Sequence, residues 1–355
     1  MKALLLSEYS HLDLADLPRP TAGPGEVLVE VAACGICGSD VHGYDGSSGR
    51  RIPPLVMGHE AAGIIAEVGP GVQDFAPGDR VTFDSTVYCG ECHFCKQGLI
   101  NLCDNRQVIG VSTPEFRRAG AFAEYVTVPE RIVYKLPDEM AFPDAAMLEA
   151  VAVAVHAVNI TELKPTDTAL VIGAGMIGLL IIQALAAAGC QRIFVADVDE
   201  TRLRLAKEAG ASTTFISSGA GENDAIVAEC KRLTEGRGVD VVLEAVGRNE
   251  TVAASIEAVR KGGTVTLVGN ITPTVTLPLQ KVVSRQIRLQ GSCASCGEYP
   301  ESIRLVSSGK IDVSSLITSV APLEDGASWF HRLYHREPNL MKIVLDPRIG
   351  SGQDR

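Results

Sequence analysis

Hydrophobic positions along this 355-residue chain change their spacing twice. Up to about position 150 they come in short runs, such as 27–31 and 63–68, broken by Gly23-Pro24-Gly25 and Pro77-Gly78-Asp79. Short apolar runs between turn-forming residues predict a strand-rich, mostly β region. From about 165 to 285 the pattern alternates. Apolar runs at 169–172, 192–196, 239–243 and 264–268 are separated by stretches that include helical spacing over 176–188 and 200–209. Wholly apolar strands alternating with helices predict a parallel sheet covered on both faces, and so an α/β fold class. Beyond about 290 the pattern predicts a helix over 300–308, a strand over 341–345 and a frayed polar tail. No internal repeat or low-complexity linker separates these stretches.

Length and composition narrow the reading. A chain of 355 residues exceeds what one core usually organises, so two domains are expected. Apolar residues at 46% and charged residues at 21% exclude intrinsic disorder. Lys+Arg 32 against Asp+Glu 43 leaves a formal charge of −11 without any basic run, so no nucleic acid partner is expected. The apolar run from Ala3 to Leu6 is too short for a signal peptide. Residues 168–191 carry no charge and are about as long as a membrane span, but three glycines in a patterned turn make them a buried strand and helix instead. No membrane partner is expected, and the location expected is cytoplasmic.

The patterned turn carries chemistry. Strand 169–172 runs into Gly173-Ala-Gly175-Met176-Ile177-Gly178, and a helix follows at once. Glycines at these positions permit a tight turn, close approach of backbone to a pyrophosphate and close helix–strand packing. The helix N-terminus then offers unpaired N–H groups to the phosphates. Asp197 follows Gly178 by 19 residues at the end of the next strand, where a carboxylate accepts both ribose hydroxyls and repels a 2′-phosphate. NAD is therefore expected rather than NADP. Arg202 is expected along the adenosine edge, and Val268 and Gly269 at the end of a later strand join the cofactor-binding set. A ligand-free glycine turn in an α/β domain is the plain alternative.

Ten cysteines are unevenly placed. Cys89, Cys92, Cys95 and Cys103 supply four thiolates from one loop, enough for a closed, structural zinc site; an iron–sulfur cluster is the competing reading. Cys37 sits in Cys34-Gly-Ile-Cys37-Gly-Ser39-Asp40-Val-His42, and 22 residues on comes His59-Glu60. Thiolate, imidazole and carboxylate are donors that Zn²⁺ accepts together, although spacing alone does not make them meet. Cys34 and Cys37 also read as a redox pair. Cys293 and Cys296 read as packed thiols.

With those residues in view, the chain resembles the zinc-dependent medium-chain dehydrogenases, within them the sorbitol (polyol) and threonine dehydrogenase branch. The resemblance rests on Cys37-Gly-Ser-Asp-Val-His42, Gly58-His-Glu-Ala-Ala-Gly63, Gly78-Asp-Arg-Val81, the four-cysteine loop, Glu149 with His156-Ala157, and the glycine fingerprint. It implies a GroES-like, barrel-like and mostly β catalytic domain over 1–154 and 290–355. A Rossmann, doubly wound NAD-binding domain follows over 155–289, with the active site in the cleft between them. It implies that Cys37, His59 and Glu60 hold a catalytic zinc and that Ser39 and His42 relay the alcohol proton to solvent. Asp40 orients the metal site. Glu149 is a catalytic residue that completes the metal shell directly or through water, and Ala150 stands where the family carries proline. Tyr44 falls near the substrate, and relatives pair as homodimers or homotetramers.

The implied reaction passes a hydride between NAD and a secondary alcohol of a polyol such as sorbitol, iditol or xylitol. The stretch Gly291-Ser-Cys-Ala294-Ser-Cys296 lacks the arginine that polyol enzymes present there. The pairs Arg50-Arg51 and Arg117-Arg118 offer a phosphate a place, which suits a sugar-alcohol phosphate such as galactitol 1-phosphate. Threonine is a further candidate substrate. A zinc-stabilised nucleotide-binding scaffold without chemistry and a zinc-free quinone reductase are the competing readings.

Overall fold

The computed structural model describes residues 1–217 and 223–350, so the last residues of the expected polar tail lie outside the described residues. The chain divides into two compact units. The first comprises 1–149, 295–307 and 312–355, the second 150–294 and 308–311. The boundaries expected at 154/155 and 289/290 fall inside the helix Leu148–Asn159 and the strand Arg288–Gly291. Hydrophobic spacing reads continuously through both elements, so neither boundary leaves a mark in the sequence.

The first unit is built on strand Glu26–Gly35, which is longer than its apolar run of 27–31. Its Ala-Ala-Cys-Gly end has little intrinsic strand preference and is held extended by partners on both sides. Glu60–Val68 and Tyr125–Pro129 pair with it antiparallel, and Lys342–Asp346 pairs with its last two residues. Two three-stranded sheets complete the unit. Its core gathers Leu4, Leu6, Phe83, Phe122, Phe330 and Ile343, all essentially inaccessible to water.

The second unit is a six-stranded parallel sheet ordered Thr213–Ile216, Arg192–Asp197, Thr168–Ile172, Val239–Glu244, Val259–Leu267, Arg288–Gly291. That order reverses direction between the third and fourth strands, which is where doubly wound sheets bind ligands. Thr168–Ile172 is buried at every position, as its unbroken apolar run requires. The uncharged stretch resolves into this strand and the helix Met176–Ala187, and no described helix is long and apolar enough to cross a membrane.

Candidate active site and metal centres

Register brings the first candidate centre together. Gly35 lies opposite Glu60 in one neighbouring strand and Val344 in the other. Cys37, two residues past the strand end, caps the short helix Gly38–Gly43. Its sulfur accepts from the Ser39 N–H at 3.4 Å and the Ser39 hydroxyl at 3.3 Å. One ligand atom from each of Cys37, His59 and Glu60 lies within 4.8 Å of the others. Donors around a single zinc, with bonds of about 2.0–2.3 Å, span such distances.

Buried charges surround that group. Asp40 Oδ1 accepts from Arg51 Nε at 3.0 Å and Nη2 at 2.8 Å, while Oδ2 lies 3.4 Å from His59 Nδ1. Burial pushes the Asp40 carboxyl up, but His59 and Arg51 outweigh it and hold it at about 2. Burial disfavours a charged His59, yet Asp40 and Cys37 raise its pKa well above the ordinary value. His59 Nδ1 and Asp40 Oδ2 have no hydrogen-bond partner of good geometry. An imidazole, a thiol and a carboxylate whose ligand atoms crowd within 4.8 Å of one another fit a bound cation, and their mixed hardness fits zinc.

Glu60 Oε2 accepts from Lys342 Nζ at 2.5 Å, and the same ammonium reaches the Ile36 carbonyl at 3.3 Å. Both side chains are almost wholly buried. A Cβ at Gly35 would overlap Glu60 Oε2, so only glycine leaves the carboxylate this place. Glu149 opens the helix Leu148–Asn159 and accepts from Ser85 Oγ at 3.2 Å; it is not one of the three closely grouped residues. Burial raises its pKa and His59 draws it down. Asp84, also buried, accepts from the Thr86 N–H at 2.8 Å and Ser295 Oγ at 3.2 Å, and burial pushes its carboxyl up to about 7.

Ser39 and His42 are exposed on the short helix. Tyr44, expected near the substrate, is 8% exposed and packs against Phe330 and Tyr334, and its hydroxyl donates to the Ser10 carbonyl. Its hydroxyl hydrogen is thus used on that carbonyl, and only the oxygen's lone pairs are left to meet a ligand. The arginine pairs also differ from expectation. Arg51 is 4% exposed and held by Asp40, and Arg118 pairs with Glu26 at 2.5 Å; Arg50 and Arg117 alone are exposed.

The four-cysteine loop closes on itself. The N–H groups of Cys89, Cys92 and Cys95 point at the sulfurs of Cys103, Cys89 and Cys92, at 3.2, 3.4 and 3.5 Å. All four sulfurs lie within 4.8 Å of one another, and none forms a disulfide. The Glu91 N–H draws the Cys89 thiol down to about 6, whereas burial and neighbouring thiols push Cys95 up to about 12. Four thiolates ionise together at neutral pH only around a cation, so this donor set fits a tetrahedral ion.

In the second unit, Gly173 has φ +96° and faces Val246, while a Cβ at Gly178 would overlap the Gly173 carbonyl. Gly175, the N-cap of Met176–Ala187, has open space before it. The Asp197 carboxylate accepts from the Ala174 N–H at 2.6 Å and the Asp199 N–H at 3.0 Å, tying the strand end to the glycine turn. Arg202 is exposed one turn along the next helix, and the N–H groups of Val268 and Gly269 donate to the Glu244 carbonyl.

Two families match this chain: the alcohol dehydrogenase GroES-like domain over residues 23–138 and the zinc-binding dehydrogenases over 177–308. Sorbitol dehydrogenase of Bacillus subtilis (strain 168) is 34% identical over 98% of this chain and 97% of its own. The chain belongs to the zinc-dependent medium-chain alcohol dehydrogenases. A probable D-xylulose reductase A of Arthroderma otae is 36% identical over 93% of both chains. A putative zinc-binding dehydrogenase from Sinorhizobium meliloti 1021, solved bound to NADP, superposes with a TM-score of 0.87 at 32% identity over 98% of this chain and 99% of that one. The dehydrogenase is thus a zinc-binding oxidoreductase of a family that works with a nicotinamide dinucleotide, NAD(P).

Four residues around the dehydrogenase's candidate centre escape sequence reasoning: Arg51, Asp84, Ser85 and Lys342. Lys342 lies 282 residues from Glu60 and opens an apolar strand, where a charge reads as a solvated end. Arg51 belongs to a pair that reads as surface. For Arg51, Asp84 and Lys342 the role shows only in the burial of the charge, which no local pattern encodes.

Proposed function

We propose that this enzyme oxidises a secondary hydroxyl of a free sugar alcohol such as sorbitol or xylitol, passing the hydride to NAD. The convergence of Cys37, His59 and Glu60 within 4.8 Å, beside the Ser39 hydroxyl, carries the reading. In this reading these three residues hold the catalytic zinc, and Cys89, Cys92, Cys95 and Cys103 a structural one. Zinc so held is a Lewis acid; it lowers the pKa of water from 15.7 to about 7, and acts on an alcohol in the same sense. The chain's own residues do the rest. Ser39 Oγ would accept the hydroxyl proton as it gives up its own, which passes through the nicotinamide ribose to exposed His42 and solvent. Asp40 keeps the His59 ring in place, and Ser85 orients Glu149 beside the centre.

Gly173, Gly175, Gly178 and the N–H groups of Met176 and Ile177 bind the pyrophosphate; Asp197 and Arg202 take the adenosine ribose, with Val268 and Gly269 alongside. The Asp197 carboxylate favours NAD over NADP by repelling a 2′-phosphate. Relatives named for sorbitol and xylulose support a polyol, and the engagement of Arg51 and Arg118 favours a free over a phosphorylated one. No disulfide joins any of the ten cysteines, which suits a reducing, cytoplasmic location. The strand Arg288–Gly291 ends the parallel sheet with Leu279 and Val283 exposed close by in sequence, which favours a homodimer or homotetramer.

The test measures NAD reduction over a panel of polyols, sugar-alcohol phosphates, threonine and simple alcohols. Free polyols are expected to give the highest kcat/KM. Cys37→Ala and His59→Ala should each abolish turnover while NADH still binds; near-normal turnover in both would defeat the proposal.

A further inference from the structure

The Arg50-Arg51 pair splits into two different residues once folded. Arg50 is exposed. Arg51 is 4% exposed, and a Cβ at Gly43 would overlap its stem, so a glycine keeps the path of this side chain open. Its guanidinium reaches two groups at once. Nε and Nη2 donate to Asp40 Oδ1 at 3.0 and 2.8 Å, and Nη2 also donates to Ser39 Oγ at 3.2 Å. The other oxygen of Asp40 faces His59 Nδ1 at 3.4 Å. One buried cation therefore touches both the carboxylate behind the histidine ligand and the hydroxyl that meets the substrate.

Geometry gives this contact a consequence for Ser39. A hydroxyl has one hydrogen to donate and two lone pairs to accept with. Arg51 donates only, so it occupies a lone pair and leaves the Ser39 hydrogen to point elsewhere. That hydrogen goes to the Cys37 sulfur, 3.3 Å away, which leaves the second lone pair to accept the substrate's hydroxyl proton. Without the guanidinium the Ser39 side chain, exposed on a short helix, is free to turn to other rotamers, and Asp40 loses the partner that fixes its plane.

We propose that Arg51 is a positioning residue that couples the two halves of the centre, holding Asp40 against His59 and aiming the Ser39 hydroxyl at the substrate oxygen. The inference rests on the reading of Cys37, His59 and Glu60 as the metal ligands and Ser39 as the proton acceptor. A planar fork is needed because an ammonium has no rigid pair of donors spanning a carboxylate and a hydroxyl.

The experiment compares Arg51→Met, Arg51→Lys and Arg50→Met in the zinc-loaded, full-length enzyme. For each, it measures kcat, KM, NADH binding, the melting temperature and the rate at which a chelator removes catalytic zinc. Arg51→Met is expected to lower kcat about 10- to 100-fold and to speed zinc loss by a similar factor, the usual effect of removing a group behind a metal ligand. NADH binding should stay unchanged. Arg51→Lys should restore zinc retention, because Asp40 regains a counter-charge, but not kcat, because Ser39 is not held. Arg50→Met should match the parent. Unchanged kcat and zinc retention in Arg51→Met overturn the proposal, as does full recovery of kcat in Arg51→Lys. If Arg51→Met does not fold, Arg51→Lys decides alone: parental kcat overturns the proposal, and retained zinc with depressed kcat supports it. Cys37→Ala separates the layers. Turnover surviving that change sinks the metal reading itself, whereas an inactive Cys37→Ala beside a silent Arg51→Met sinks only the coupling.

Discussion

Glu60 and Lys342 form an ion pair with almost no access to water, and removing one partner of such a pair strands the other. Burial lowers the pKa of Lys342, but Glu60 and Cys37 more than reverse that, so the ammonium stays charged. Breaking a buried pair typically costs about 3–5 kcal/mol. In the proposed zinc-bound state Cys37, His59 and Glu60 would hold the ion, which would give the same carboxylate a second counter-charge. Lys342→Met is therefore expected to destabilise the chelator-treated protein by about 3 kcal/mol or more and the zinc-loaded protein by clearly less, as read by denaturant unfolding. Equal losses in both forms would show that Glu60 does not face the metal. Asp84 gives a pH signature. Its folded pKa of about 7 lies above the ordinary 3.8, so between these values the folded state holds a proton the unfolded chain has lost. Stability is then full below the unfolded value and falls as pH rises towards 7, by up to about 4 kcal/mol. Asp84→Asn keeps the neutral shape and removes that loss. The variant should gain stability relative to the parent at pH 8 and show no such gain at pH 4, measured by melting temperature. None of these roles is legible locally. Asp84 follows an apolar strand as a turn residue does, and only the fold places Ser295 and Glu149 around it.

Elements were legible in proportion to how much of their pattern is local. The run 169–172, the glycine turn and the helix after it appear where hydrophobic spacing puts them, because a strand buried on both faces must be apolar throughout. The strand Thr213–Ile216 and the edge strand Arg288–Gly291 have only four residues each, with half-exposed side chains, and carry no such signal. The helix Leu148–Asn159 is hidden by its alternating Ala and Val, a period of two that imitates a strand. In the glycine turn the requirement is steric. A Cβ at Gly178 would meet the carbonyl of Gly173, so Gly178→Ala must push the helix away from the turn. Such crowding costs about 1–3 kcal/mol. NADH affinity is expected to fall at least tenfold in this variant with zinc content unchanged, checked by nucleotide fluorescence titration beside metal analysis. NADH affinity within twofold of the parent would remove the turn from the cofactor site.

For the whole molecule, two donor groups predict two metals with separable consequences. Metal analysis should find two zinc ions per chain in the parent and one in either Cys37→Ala or Cys92→Ser. Only Cys92→Ser should lower the melting temperature strongly, because the loop around Cys89 to Cys103 is closed by its sulfurs and has little core of its own. Equal melting temperatures would make that loop self-supporting. The four-cysteine loop, the glycine fingerprint and the order of strands and helices follow from residues near one another in the chain, so their physics is complete in a short window. Cys37 with His59 and Glu60, Lys342 on Glu60, and Arg51 across Asp40 and Ser39 depend on something no window contains. Strand register sets which residues lie side by side, and burial makes an unpaired charge there too costly to leave alone.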